Sequence, residues 1–251
     1  MIVFLLALFF AAPDPAAAFA EGRALLERGE AAKASQLFEQ AVALAPKRAE
    51  YHYWLARSYT SEAKATTNAV RLLALAWDVG EELELAVQLD PDLLDARVRL
   101  VQYYEMTPRV VGGSSRKARE AARELARRDA TLGLWADGYL AYRVKQYGRA
   151  RVSLRAAAAS ARDAKTKELA LMWLGWLSQE TQQYEEAFAT WRAILAVDAT
   201  QTAAWYEIGR TASFCRCEVE GGREALRKYM AAPQRDGPTI DDARKVLERL
   251  R

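Results

Sequence analysis

The sequence has one histidine, His52, and only two cysteines, Cys215 and Cys217, among its 251 residues. That scarcity removes most side-chain constellations for metal binding or nucleophilic catalysis. Neither sign of charge dominates: 36 Lys and Arg stand against 33 Asp and Glu, a net charge of +3 with the two signs interleaved. So small an excess argues against nucleic acid as a partner. Glycine and proline are few and lie mostly between apolar-periodic runs, where they punctuate structure. Beyond the N-terminus no stretch approaches the roughly 20 apolar residues that a membrane-spanning helix needs. There is no G-x-G-x-x-G, G-x-S-x-G, Walker-type lysine loop or H-E-x-x-H, the patterns that would signal dinucleotide, hydrolase, phosphate or zinc chemistry. A non-catalytic protein without cofactor or metal is expected.

What the chain does have is apolar and helix-forming. Hydrophobic residues make up 51% and charged residues 27%, the balance of a soluble protein with a sizeable core. Ala, Leu, Arg and Glu predominate, which favours helix. The N-terminus differs in kind: Met1 to Ala12 are continuously apolar, Pro13-Asp14-Pro15 breaks the run, and Ala16-Ala17-Ala18 and Ala18-Phe19-Ala20 offer small residues at a signal-peptidase spacing. Residues 1–18 are expected to form a cleaved export signal, although no Lys or Arg precedes the apolar run and Arg23 is the first basic residue. An uncleaved anchor is the alternative. Residues 19–251 then form one domain, periplasmic or secreted.

That domain repeats itself. Gly138, Gly175 and Gly209 each lie inside an apolar helical run. After each comes a small residue, a large one and a third on the same helical face: Ala150, Leu154 and Ala157; Ala187, Trp191 and Ile194; Ala225, Tyr229 and Ala232. Small residues let antiparallel helices approach, and the large one fills the hole opposite. Near the start, Gly22, Leu25, Gly29, Ala34, Phe38, Ala41 and Pro46 make one whole unit, and Leu55, Ala56 and Tyr59 open the next.

These residues resemble the tetratricopeptide repeat, W-x2-L-G-x2-Y followed by A-x3-F and then P. Trp205-x2-Ile208-Gly209 and Leu171-x2-Leu174-Gly175 look like first helices of that unit, and "LAVQLDP" over Ala86 to Pro91 looks like the end of a second helix. The resemblance implies an all-α fold: a right-handed α-solenoid of about six antiparallel helix pairs plus a C-terminal capping helix. The pairs are expected at 19–46, 48–91, 93–129, 131–163, 166–198 and 200–232, with the cap near 239–250. Irregularities are expected at "EAKATTNAVR", "TPRVVGGSS" and "CRCEVEGG". Exported bacterial tetratricopeptide proteins are similar in carrying "AVxLDP" followed by a "GGSxxKA" turn.

First helices of such pairs line the concave side of a solenoid. The expected groove set is Tyr53, Arg57, Trp135, Tyr139, Tyr142, Trp176, Tyr206 and Arg210, with Gln102 and Met172 beside them. Trp135, Tyr139 and Tyr142 share one helical face by spacing. Such a stripe is either core between neighbouring helices or an exposed anchor surface for a peptide. The Lys and Asn set with which some members of the family grip a C-terminal carboxylate is missing. The expected function is a peptide- or protein-binding scaffold acting through that groove, with an envelope-assembly subunit using an outer basic face as the alternative.

Other features invite bland readings first. Arg116, Arg119, Arg123 and Arg127 stripe one helix, more simply as a solvated face. Gly112-Gly113-Ser114-Ser115 reads as a turn with a serine cap rather than an anion site. Cys215-x-Cys217 reads as small residues in a turn, with a labile bridge as the alternative. His52 stands where the repeat family usually has Trp, so a packed imidazole is expected rather than a ligand or base.

Overall fold

The structure, a computed structural model, describes residues 14–233 and 237–250. Most of the expected export signal lies outside these residues. Thirteen α-helices and no strand occur among them. In chain order they are α1 (Pro15–Glu27), α2 (Ala31–Leu44), α3 (Ala49–Ala65), α4 (Ala69–Leu89), α5 (Leu94–Met106), α6 (Ser115–Arg128), α7 (Ala130–Arg143), α8 (Tyr147–Ser160), α9 (Ala164–Glu180), α10 (Tyr184–Val197), α11 (Thr202–Cys215), α12 (Val219–Ala231) and α13 (Ile240–Glu248). The expected pairs and the cap are present, with boundaries a few residues from those read in the sequence. The first helix begins at Pro15, four residues before the expected 19, because Asp14 accepts a hydrogen bond from the Ala16 amide and proline suits the first helical position. The helices form two compact units, dividing after Ser114.

Two turn designs recur. Inside three pairs, a single residue in the left-handed region closes the first helix: Gly29 (φ 82°), Lys145 (φ 60°) and Gln182 (φ 58°). Each time the following amide reaches back five residues, Glu30 to the Leu25 carbonyl, Gln146 to Ala141 and Gln183 to Ser178. This is the C-terminal closure that satisfies orphan helix carbonyls. Only the first of the three uses glycine, so composition alone does not reveal the other two. Between pairs, the four-residue turns beginning at Ala45, Asp90 and Asp198 repeat a second pattern, with amide bonds from Ala45 to Ala41, Asp90 to Ala86 and Asp198 to Ile194.

The glycine–large-residue interlock is present and close. A Cβ at Gly138 would stand 2.7 Å from Leu154, and one at Gly175 would stand 2.5 Å from the Trp191 ring. In the last pair the register differs from the expectation. Gly209 is filled by Leu226, 2.3 Å from a would-be Cβ, while Tyr229 donates its hydroxyl to the Pro238 carbonyl next to the cap. The break between α11 and α12 has three residues, as inside the pairs α1–α2, α7–α8 and α9–α10, but α11 runs one residue further past its glycine, which shifts the side chain that meets it by one position. The insertion "EAKATTNAVR" forms only a three-residue break, Thr66 to Asn68, and otherwise extends α3 and α4 to 17 and 21 residues. "TPRVVGGSS" is a turn, with a short 3-10 segment over Arg109–Val111 and Gly112 at φ 97°. A side chain on Gly113 would collide with the Thr107 carbonyl, 1.7 Å away.

His52 is buried, as expected, but it is more than packed. Nδ1 lies 2.6 Å from a Glu82 carboxylate oxygen and Nε2 lies 2.8 Å from the Pro46 carbonyl. At the equivalent place in the next pair the Arg97 guanidinium, an obligate donor, bonds the Pro91 carbonyl. Both imidazole nitrogens therefore face acceptors, which only the doubly protonated ring satisfies. The Glu82 hydrogen bond and then the Pro46 bond raise the His52 pKa against the opposing effect of burial. A folded-state pKa above the ordinary value of about 6.5 means that the stabilisation is complete below that value and fades as pH climbs through the folded pKa. Thermal melts from about pH 6 to about pH 9 should show His52→Gln losing this pH dependence; a wild-type and variant difference that stays constant with pH would contradict the charged assignment.

Candidate functional site

In the second unit, α7, α9 and α11 lie side by side, and their side chains build a layered aromatic wall. Trp135 stacks on Tyr139 at 5.5 Å, Tyr139 meets Trp173 at 4.7 Å, and Trp173 touches both Tyr142 at 5.5 Å and Trp176 at 5.0 Å. Trp176 continues to Trp191 of α10 at 6.3 Å. Offset and edge-on pairs of this kind hold rings firmly. The wall has a dry side and a wet side. Trp135 and Tyr139 have no solvent exposure, so no ligand can reach them in the folded protein. That corrects the expectation for these two groove residues: helices packed against α7 from both sides enclose the face that helical spacing alone left open.

The wet side is a cleft of about 380 Å³ lined by Tyr142, Trp176, Gln179, Glu180, Arg210 and Phe214. Three of the expected groove residues, Tyr142, Trp176 and Arg210, meet there. Gln179, Glu180 and Phe214 were not foreseen, although each lies three or four residues, one helical turn, after Trp176 or Arg210 and so on the same face. Beneath the cleft runs a buried polar network. Gln179 donates to the Glu207 carboxylate at 3.0 Å and to the Thr211 hydroxyl at 2.7 Å, and its carbonyl oxygen accepts from Arg210 at 2.6 Å. Glu207 also accepts from the Trp176 indole at 3.2 Å and pairs with Arg210 Nε at 2.8 Å. Gln179, Glu207 and Thr211 are all buried, so these partners are what make their burial tolerable. Arg210 therefore does structural work as well as facing the cleft. Removing it would leave the Glu207 carboxylate buried without its counter-charge, a strongly destabilising change.

The rim is more available. Phe214 is 49% exposed, with the Arg210 guanidinium 5.6 Å from its ring centroid. Glu180 accepts from the Tyr147 hydroxyl at 2.6 Å. Hydrogen bonds from Tyr142 and Tyr147 hold its carboxyl below the usual range. Burial, with the same carboxylate second, pushes the Tyr142 phenol up. The cleft thus offers apolar ring faces, a carboxylate on one flank and a guanidinium on the other. It can seat one bulky side chain while meeting the polar backbone on either side of it.

The remaining expected residues lie elsewhere. Tyr206 is almost fully buried and packs on Tyr229 at 5.4 Å. In the first unit Tyr53 is buried, and Arg57 lies over Trp54 at 4.1 Å, with Arg23 on the same ring at 4.6 Å. Trp54, sandwiched between two guanidiniums, was not singled out from the sequence. On α6, Arg116 pairs with Glu120 and Arg127 with Glu124, as an outer face laced by pairs within its own helix does. Cys215 and Cys217 are joined by a disulfide, which corrects the reading as mere small residues. The bridge closes the C-terminus of α11 one residue beyond Phe214, and both Arg216 and Glu218 take left-handed backbone conformations, φ 53° and 47°.

No family model matches the sequence, and no curated protein matches it. Solved structures do. The thermophilic TPR protein TTC0263 of Thermus thermophilus superposes with a TM-score of 0.62 at 19% identity, over 81% of this chain and all of that one. A chain of the APC/C hetero-tetramer Cut9–Hcn1 gives 0.63 at 14% identity over 94% of this chain, which spans 43% of its length. PilW, a widely conserved type IV pilus biogenesis factor, gives 0.57 at 13% identity, over 94% of this chain and all of its own. Identities this low speak to architecture, and they agree with the glycine interlock and the recurring turns: the chain is an all-α solenoid of the tetratricopeptide-repeat fold.

Proposed function

We propose that the protein is a non-catalytic peptide- or protein-binding scaffold that captures a segment of its partner in the cleft between α7, α9 and α11. The observation that carries this reading is the rim: an exposed Phe214 and a half-buried Trp176 stand over a floor where Gln179, Glu207 and Thr211 are hydrogen-bonded among themselves and to Trp176 and Arg210. A ligand entering there desolvates ring faces without stripping partners from the buried network. Large anchors in such pockets commonly contribute about 2 kcal/mol or more. Glu180 and Arg210, on opposite flanks, supply an acceptor and a donor for the peptide groups on either side of the anchor. The similarity in fold to a chain of the Cut9–Hcn1 assembly and to PilW is consistent with a scaffold, since helix-pair solenoids work by presenting extended surfaces.

The test uses a phage-displayed random peptide library panned on the whole protein. Enriched peptides sharing a bulky apolar residue are expected, and Phe214→Ala should weaken their binding about tenfold or more with helical circular dichroism unchanged. Phe214 is chosen over Arg210 because its removal leaves no buried charge. Failure to enrich any sequence, or binding indifferent to Phe214→Ala and Glu180→Lys, would contradict the assignment.

We further propose that the protein acts in an oxidising compartment such as the bacterial periplasm. Two features support this: the apolar N-terminal run with its small-residue sites, and the Cys215–Cys217 bridge, since disulfides persist outside the reducing cytosol. Phe19 packs on Phe38, Tyr51 and Trp54 at 5.7, 4.6 and 6.2 Å, which favours cleavage after Ala18 over cleavage after Ala20. N-terminal sequencing of protein from cell fractions should find Phe19 first in the periplasmic pool; a cytosolic protein beginning at Met1 would contradict export.

A further inference from the structure

Helix α4 keeps one face uncovered. Val70, Leu73, Ala74, Trp77, Glu81 and Glu84 follow one another at helical spacing and share a stripe. On the opposite side Leu75, Val79, Leu83 and Ala86 are buried within the unit. Val70 is 78%, Leu73 48% and Trp77 50% exposed. Asn68 caps the helix through the Val70 and Arg71 amides. Arg71, the one cation among the residues of this helix, is turned back onto α3 by two bonds to Glu62 at 2.9 and 2.8 Å. The stripe is therefore apolar over its N-terminal half and acidic over its C-terminal half. Contiguous exposed apolar surface of this kind marks an interaction site.

We propose that this face is where two copies of the chain meet, α4 against α4, antiparallel across a two-fold axis near Leu73 and Ala74. The charge pattern selects the occupant and the register. A self-complementary face must place each residue opposite its two-fold mate. With the axis at Leu73 and Ala74, Val70 faces Trp77 of the second copy and apolar meets apolar. An axis at Trp77 would instead set Leu73 against Glu81. In the favoured register Glu81 of each copy falls beyond the start of the other α4. There the free end of the helix dipole is positive, and Lys64 closes α3. Lys64 and Glu81 are exposed, and neither forms an ion pair among the described residues. The long insertion that extends α3 and α4 is what creates both the apolar end and the lysine beside it.

Analytical ultracentrifugation of the full chain tests this. A monomer–dimer equilibrium is expected in the range of about 1 to 100 μM. Leu73→Glu with Trp77→Glu should leave only monomer while circular dichroism stays helical. Lys64→Glu and Glu81→Lys should each weaken the dimer about tenfold, and the two together should restore it, which a merely sticky patch would not do. A monomer at every concentration, a dimer indifferent to these substitutions, or a monomer whose Trp77 instead inserts into phosphatidylglycerol vesicles would overturn the proposal.

Discussion

A large side chain from one helix seated in the hollow over a glycine of its partner is the contact on which the rest of this structure depends. Leu154 over Gly138, Trp191 over Gly175 and Leu226 over Gly209 bring the two helices of a pair closer than any other residue at those glycines would allow. Interiors are packed at crystal-like density, so the fit leaves little slack. Once a pair is closed at that distance, its first helix presents a defined set of side chains to the next pair. The aromatic wall of the second unit follows from it.

That constraint also decides which aromatics are free. Trp191, committed to Gly175, backs Trp176 and leaves one edge of it toward solvent. Trp135 and Tyr139 are committed inward against Trp173. What remains at the surface is a short cleft above a hydrogen-bonded floor, where Gln179, Glu207, Thr211 and Arg210 hold one another. A polar floor hydrogen-bonded within itself fixes the geometry of the walls beforehand, and preorganisation of that kind lowers the ordering cost of binding.

Most of the fold was legible in the sequence because the signals are local and repeat. Gly138, Gly175 and Gly209 mark first helices, and the small residues opposite mark second helices. The register of the last pair was not legible, since α11 continues one residue further past its glycine, up to the disulfide, and Leu226 rather than Tyr229 comes to lie over that glycine. The turns at Lys145 and Gln182 hide for another reason: their left-handed residues are not glycines, although the same backbone amide bonds close them. For the cleft, helical periodicity located Tyr142, Trp176 and Arg210 on the right face. It could not separate them from Trp135 and Tyr139, because periodicity reports direction around one helix and burial depends on what stands opposite. Phe214 was missed because it sits in the last turn before the cysteine pair, where the repeat pattern breaks down.

The first unit reuses the same construction with different emphasis. Buried His52 and Arg97 tie first helices to the preceding turn through the Pro46 and Pro91 carbonyls, while α4 outgrows the repeat and carries its extra turns into solvent. The interlock is nonetheless the element common to both units, as Phe38 against Gly22 shows, 2.9 Å from a would-be Cβ. Urea unfolding of Gly175→Ala beside Gly148→Ala tests it most directly, since a Cβ at Gly148 meets nothing within 4 Å. The added methyl at 175 should cost about 1–3 kcal/mol, whereas the one at 148 should stabilise by about 0.5–1 kcal/mol through helix propensity; equal effects at the two sites would contradict the interlock as the constraint that sets the fold.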